Sequence, residues 1–240
     1  MGPRDLKACI REMVWRTMEE RGVTSFPVPV RGRIPNFKGA ERAAALLTAD
    51  PEFDRARVVK VNPDSPQFAV RKEVLRSGKT LVMPTPRLRG GFLLIDPRTL
   101  PKGELERAAT IRGAFIYGKP VHPKELPKVD LIVLGSVAVT EEGWRVGKGE
   151  GYAELEYAIL RTFGKVDEGV KVYTTVHELQ IVDFVPVEPF DVPVDAVFTE
   201  RRVIRCLPKP KPDRVYWELL EEEKLSEIPL LRELRDVSPR

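Results

Sequence analysis

Two adjoining stretches decide the fold: the run Asp130-Leu-Ile-Val-Leu-Gly135, and the glycine-rich Gly143-Trp-Arg-Val-Gly147-Lys148-Gly149-Glu150-Gly151-Tyr152-Ala153-Glu154 just after it. Asp130–Leu134 is almost purely apolar and ends at a glycine, the pattern of a central parallel strand covered on both faces. Tyr152–Phe163 carries Leu155, Ile159 and Phe163 at helical spacing on one face, with Gly164 as its stop. A buried strand, a glycine loop and an amphipathic helix in this order form one unit of an α/β sheet.

Working outward, Arg57–Val61 and Thr80–Met83 read as strands, and Ala40–Leu47 and Gln67–Arg76 as helices. Arg4–Arg21 forms the first helix, with Ile10, Met13, Val14 and Met18 on one face and Gly22 behind it. Downstream, Val170–Val176, Ile181–Val185 and Val194–Phe198 read as strands, and a turn at Thr199–Arg202 leads into Val203–Arg205. The alternation predicts an α/β class with a mostly parallel sheet and helices on both faces. Pro208–Asp213 is a stiff linker. The segments Arg214–Lys224 and Ser226–Asp236 beyond it are amphipathic, and their apolar faces need cover from the chain's own body or a second subunit. The division is therefore a domain over residues 1–206 and a proline-rich linker with a helical extension over 207–240.

With 42% hydrophobic and 32% charged residues, the 240-residue chain can bury a core, which excludes a disordered chain. No run reaches the roughly 18–20 apolar residues that span a bilayer, and Arg4, Asp5, Lys7 and Arg11 stand where a signal peptide is apolar. A cytoplasmic protein without a membrane partner is expected. Two cysteines and two histidines, none adjacent in sequence, exclude a zinc cluster or a disulfide framework. A net charge of +4 argues against a polyanion partner. Four side-chain amides (Asn36, Asn62, Gln67 and Gln180) against 22 prolines and abundant Lys, Arg and Glu match a thermophile's composition.

Glycines at 147, 149 and 151 let backbone amides approach a ligand, and a helix N-terminus follows them. Arg145 and Lys148 add two cations, so the stretch reads as a phosphate cradle, with Glu154 in the first helical turn placed to hold a magnesium ion. It equally reads as a structural turn with solvated charges. It is neither a P-loop, since only three residues separate Gly143 from Gly147, nor a dinucleotide fingerprint, which needs two residues before its last glycine. Lys7 and Arg11, four apart, share one face of the first helix, and a solvated basic edge explains them as simply. His177 reads as a strand-end or core histidine, His122 as a loop residue, and Cys9 as a packed thiol. Trp144 suits a core anchor or a stacking platform. Asp183 and Asp195 suit strand ends, and Arg87 and Arg89 either reach a substrate carboxylate or meet water.

Read together, these segments resemble the 5-formyltetrahydrofolate cyclo-ligase family, also called methenyltetrahydrofolate synthetase. The resemblance rests on Lys7 and Arg11 on the first helix, on the loop Arg145-Val-Gly-Lys-Gly-Glu-Gly-Tyr-Ala-Glu154, and on Gln180-Ile-Val-Asp183, Val185-Pro-Val-Glu188 and Asp191-Val-Pro-Val-Asp195. Arg31–Gly39 and Pro84-Thr-Pro-Arg-Leu-Arg89 look closer to the branch called methenyltetrahydrofolate synthase domain-containing. Glu150, Ala153 and Glu154 depart from the family's Gly, Tyr and Asp, and a glutamate inside a phosphate loop repels its ligand unless it turns away.

The resemblance implies a three-layer α/β/α fold like those of ribose-5-phosphate isomerase and the CoA transferases. It implies ATP-dependent conversion of a 5-formyl-tetrahydropterin to the 5,10-methenyl form by phosphorylation of the formyl oxygen. It implies Arg145 and Lys148 as catalytic residues, and Lys7, Arg11, Arg145, Gly147, Lys148, Gly149, Gly151 and Tyr152 as the ATP site. Glu154 and Asp191 would hold Mg2+, and the partner would be a small pterin, on a monomer or homodimer. On this reading Lys7→Ala weakens ATP binding without unfolding the chain, and Asp191→Asn leaves stability nearly unchanged. The alternative is a non-catalytic nucleotide- or RNA-associated protein on the same fold. The branch can carry an added RNA-recognition motif, but no segment here resembles that motif's aromatic signature.

Overall fold

The computed structural model describes residues 2–237; the last three residues of the predicted extension, 238–240, lie outside them. In chain order the strands are β1 (Val58–Val61), β2 (Thr80–Pro84), β3 (Phe92–Ile95), β4 (Lys119–Val121), β5 (Leu131–Leu134), β6 (Ala138–Val139), β7 (Arg145–Val146), β8 (Lys171–Thr175), β9 (Ala196–Phe198) and β10 (Val203–Arg205). The helices are α1 (Pro3–Glu20), α2 (Ala40–Thr48), α3 (Pro51–Arg55), α4 (Phe68–Arg76), α5 (Leu105–Ala108), α6 (Ile111–Tyr117), α7 (Tyr152–Thr162), α8 (Glu222–Glu227) and α9 (Pro229–Val237).

One eight-stranded sheet runs in the order β10-β9-β8-β5-β1-β2-β3-β4. The five strands from β9 to β2 are parallel, and β10, β3 and β4 pair antiparallel at the two edges. Strand alternation sorts the core into two layers. Leu131 and Val133 of β5 and Val59 and Val61 of β1 face α2–α6, while Ile132 and Leu134 face α7 and the C-terminal segment. This is the expected three-layer arrangement. A third cluster packs α1, through Val14, Trp15 and Met18, on the β6–β7 hairpin.

The C-terminal segment lies on the body: Val215, Ile228, Leu231 and Leu234 join the α7-side core. Arg214–Lys224 is not one helix. A 3-10 turn at Trp217–Leu219 gives way to extended Leu220 and Glu221 before α8 begins. The break lets Val215, Leu220 and Leu225 all reach the same cluster.

Ile181–Val185 is not a sheet strand. A 3-10 turn at Glu178–Gln180 redirects the chain, and the Gln180 amide donates to the carbonyls of Ser136 and Val137. Ile181 makes only an isolated bridge to Val139. Two strands are absent from the sequence-based reading: β3, although Phe92–Ile95 is an apolar run, and the edge strand β4, which has little pattern. Pro120 lacks the N–H of a sheet strand, and β4 tolerates it because it lies at the sheet's edge.

Asp50 ties one sheet end together. It caps α3 through the Glu52 N–H and accepts hydrogen bonds from Tyr173 Oη (2.8 Å) and from Arg205. Burial pushes its carboxyl up, but the bonds from Arg205 and Tyr173 outweigh that and hold it below the ordinary aspartate range. A depressed folded pKa contributes stability that is full above about pH 4 and is lost as pH falls through the folded value. Asp50→Ala should therefore cost about 3 kcal/mol at neutral pH, and the gap to the parent should narrow as pH drops below about 4. Urea unfolding at neutral and acid pH checks this; a gap that stays constant would contradict it.

Candidate active site

The chain leaves β1 through α4 to β2 on one side, and leaves β5 through α7 to β8 on the other, so the order of the sheet reverses between β1 and β5. Ligands of open α/β sheets collect in the crevice beyond the carboxyl ends of strands at such a reversal. Here that crevice is a cavity of about 560 Å³, bounded by Asn62–Ser65 after β1, by Gly135 after β5, and by Arg31, Arg33 and Arg87 at its rim.

Its floor is rigidly built. The buried Arg71 guanidinium donates to the carbonyls of Asn62 (2.6 Å), Asp64 (3.0 Å) and Ala109 (2.8 Å), pinning the chain that leaves β1. Burial lowers its pKa to about 10, with Asp64 opposing. Burial also raises the Asp64 carboxyl, against Lys148, Arg71, Lys60 and Arg145. A Cβ on Gly135 would meet Asp64 Oδ2 at 2.9 Å and Gln67 Oε1 at 3.0 Å, so only glycine lets the chain pass that close. Beneath the cavity, Lys60 of β1 forms a buried ion pair with Glu156 of α7, and Asn62 bonds to both (Nζ to Oδ1 3.1 Å, Nδ2 to Oε2 3.2 Å). Burial pushes the Glu156 carboxyl up, against the pull of Lys60.

The glycine loop closes this cavity from the side. The β6–β7 hairpin carries the chain outward and back, which sets Arg145 under the loop. Arg145, 3% exposed, donates to the Gly135 carbonyl at 2.9 Å and pairs with Glu154. The loop therefore sits at the carboxyl end of β5, as its sequence position suggested. Arg11 reaches across from α1 and donates to the Gly147 carbonyl at 2.7 Å. Gly149 has φ 103°, and a Cβ there would stand 3.2 Å from the Arg11 guanidinium carbon. Glu150 pairs within the loop with Lys148, 2.8 Å distant.

A second cavity, of about 400 Å³, lies on the other side of the loop. Lys7, Arg11, Glu154 and Asp191 line it with apolar Leu155, Ala158 and Phe190, and residues 212–224 of the C-terminal segment complete it. Arg145, Gly147, Glu150, Gly151 and Glu154 face both cavities, so the loop is their common wall. Tyr152 lines the first cavity and bonds Glu227 at 3.2 Å, and Lys148 lines it too.

Lys7 is not a free cation. It is 6% exposed and pairs with Asp191 (2.6 Å) and Glu188 (2.7 Å), and Asp191 also accepts the Glu188 N–H at 2.8 Å. Burial pushes the Asp191 carboxyl up, against Lys7. The expectation that Asp191→Asn leaves stability nearly unchanged is therefore corrected, and Lys7→Ala, expected to leave the chain folded, carries the same penalty: either change breaks a buried pair, and an unpaired buried charge is costly. Cys9 is exposed rather than packed. His177 is a buried capping residue whose Nδ1 accepts the Leu179 N–H, and His122 caps a loop turn in the same way. Trp144 packs beside the α1 cluster with Lys209 over its ring, and it lines neither cavity. Arg87 and Arg89 both approach Glu227 at 3.9 Å. Asp195 accepts the Val172 N–H and pairs with Lys211, as a strand-end residue does, and Asp183 is exposed.

Sequence reasoning missed Arg71, Asp64, the Lys60–Glu156 pair and the cavity residues from the C-terminal segment. Lys60 alone left a signal, a cation inside the apolar run Val58-Val-Lys-Val61.

The profile of the 5-formyltetrahydrofolate cyclo-ligase family matches residues 4–200. The chain belongs to that family. The match takes in Lys7, Arg11, the glycine loop and Asp191, and stops short of the C-terminal segment that completes the second cavity. Methenyltetrahydrofolate synthase domain-containing protein of Mus musculus is 46% identical over 235 residues, covering 96% of this chain and 63% of the mouse protein. The human protein of that name is 44% identical over 95% of this chain and 61% of its own length. The chain thus spans less than two thirds of these curated relatives. A 5-formyltetrahydrofolate cyclo-ligase of Mycolicibacterium smegmatis is 24% identical over 62% of this chain and 74% of its own. The solved 5,10-methenyltetrahydrofolate synthetase of Aquifex aeolicus shares the fold, with a TM-score of 0.52 at 23% identity, covering 88% of this chain and 98% of that one. Among the described residues no helix is long and apolar enough to cross a membrane.

Proposed function

We propose that this cyclo-ligase relative uses ATP to convert a 5-formyl-tetrahydropterin to its 5,10-methenyl form. The observation that carries the reading is the shared wall: two cavities, one on each side of a single glycine loop, with Arg145 and Glu154 facing both. The pterin enters the first cavity, where Asp64 suits the donor edge of a pterin ring and Arg31, Arg33 and Arg87 suit a carboxylate tail. The nucleotide enters the second, against Arg11 and the apolar wall, beside the Lys7–Asp191 pair.

An amide oxygen is a poor leaving group, and the chemistry removes that obstacle. The formyl oxygen attacks the γ-phosphorus, a P–O bond forms and the bond to ADP breaks. N10 then adds to the activated carbon and gives up its proton, the C–O bond breaks, and inorganic phosphate departs. Charge spreads over the non-bridging oxygens during transfer, and Lys148 and Arg145 at the wall stabilise it. Glu154 keeps Oε2 clear of protein donors among the described residues and so would suit a magnesium ion on the nucleotide phosphates, whereas both Asp191 oxygens in the same cavity accept from Lys7. Such an ion supplies charge neutralisation.

The test is to mix the purified chain with ATP, magnesium and 5-formyltetrahydrofolate and to follow the methenyl absorbance. Chromophore formation that requires ATP supports the reading. ATP binding without chromophore favours a non-catalytic nucleotide-binding protein. Lys148→Ala should lower turnover about 100-fold and leave thermal stability unchanged, because its pair with Glu150 is at the surface and surface pairs contribute little. Unaltered turnover in that variant would remove Lys148 from the mechanism.

A further inference from the structure

The C-terminal segment does more than cover the core. The family match ends at residue 200, yet Pro212, Val215, Tyr216, Leu220 and Lys224 all line the second cavity. Lys224 is placed against the glycine loop itself. Its Nζ lies 3.5 Å from where a Cβ on Gly151 would stand and 4.4 Å from the centre of the Tyr152 ring.

We propose that Lys224 binds the phosphates of the nucleotide, so that the C-terminal segment supplies a cation the family-matched domain lacks. The inference rests on the nucleotide occupying the second cavity.

Three observations lead to it. Lys224 makes no ion pair among the described residues, although the carboxylates of Glu221, Glu150, Glu154 and Glu227 lie around it. The loop beside it is already cationic, with Arg11 at Gly147 and Gly149 and with Lys148 next to Gly149. Of these cations Lys148 is paired with Glu150, whereas Lys224 faces the cavity with no carboxylate of the described residues at ion-pair distance, free to meet a phosphate. Burial pushes the Lys224 ammonium below the ordinary lysine range, against the surrounding glutamates. The lysine is also held in position. Its stem leaves α8 between Leu225 and Leu220, which pack on the α7-side core, and its ammonium lies over the Tyr152 ring.

Calorimetric titration of the full chain with ATP, ADP and adenosine distinguishes the outcomes. Lys224→Gln should weaken ATP and ADP about 10- to 100-fold, the range for losing a charge-assisted contact. Adenosine affinity should not change, and Lys224→Arg should retain most of the ATP affinity. Equal weakening of adenosine and ATP would mean that Lys224 only props the cavity wall, and would overturn the proposal. ATP affinity unchanged in Lys224→Gln would also overturn it, while leaving the nucleotide reading intact. A parent chain that binds no ATP overturns both.

Discussion

Arg145→Met should be among the most damaging single substitutions in the molecule. The guanidinium joins the Gly135 carbonyl, at the end of the central strand, to Glu154 in the first turn of α7, and it does so almost wholly out of solvent. Methionine fills much of the volume but leaves the part-buried Glu154 carboxylate and the buried Gly135 carbonyl without that partner. Breaking such a pair costs about 3–5 kcal/mol, which for a chain of this size lowers the melting temperature by roughly 10 °C. Turnover should fall further than Lys148→Ala lowers it, by about 1000-fold, because the loop loses its anchor as well as a charge. Calorimetric melting and the methenyl assay read the two effects. A variant that melts with the parent and turns over within a few-fold would show that the loop stands without Arg145.

Lys60→Met should destabilise the chain by about 3–5 kcal/mol, for the same reason of an uncompensated buried charge. The double variant Lys60→Met, Glu156→Leu should recover most of that loss, since replacing both members of a buried pair with apolar groups removes the desolvation cost along with the attraction. The Asn62 bonds to both residues would still be missing, so about 1 kcal/mol should remain unrecovered. Activity should not recover, because Glu156 lines the first cavity and its polar contact is lost in the double variant. Chemical denaturation alongside the methenyl assay separates these. A double variant as unstable as the single one, or one with parental turnover, would show that the pair is not held for the site.

Local signals carried most of the fold. Apolar residues at Leu131–Leu134, glycines at 147, 149 and 151 and the helical spacing of α7 need no distant partner to be recognised. The same kind of signal misled at Ile181–Val185, where the run is apolar enough for a strand but packs beside the hairpin. The edge strand β4 was illegible for the converse reason, since Lys119-Pro-Val121 has too little pattern to declare itself. At the candidate site, sequence supplied the residues and the resemblance supplied roles, but not their pairings. Lys7 was assigned to phosphate and Asp191 to a metal, whereas in the structure they hold each other across 184 residues. Glu156 and Lys60, 96 residues apart, left no local trace of their contact. The helical spacing of the C-terminal segment was visible, but not that its first half would reach the cavity.

The loop from Arg145 to Glu154 bounds two cavities with one stretch of backbone, and that geometry has a thermodynamic consequence. If a nucleotide and a pterin occupy the two cavities as proposed, both touch Arg145, Gly147, Glu150, Gly151 and Glu154, and any coupling between their binding runs through that wall. Whatever factor the first applies to the second's dissociation constant, the second applies to the first's, because both paths lead to one ternary complex. Any order that one ligand imposed on the wall would lower the cost of the same order for the other. Coupling across this wall would require neither a second subunit nor a distant effector site; ten residues of peptide between two chambers are sufficient.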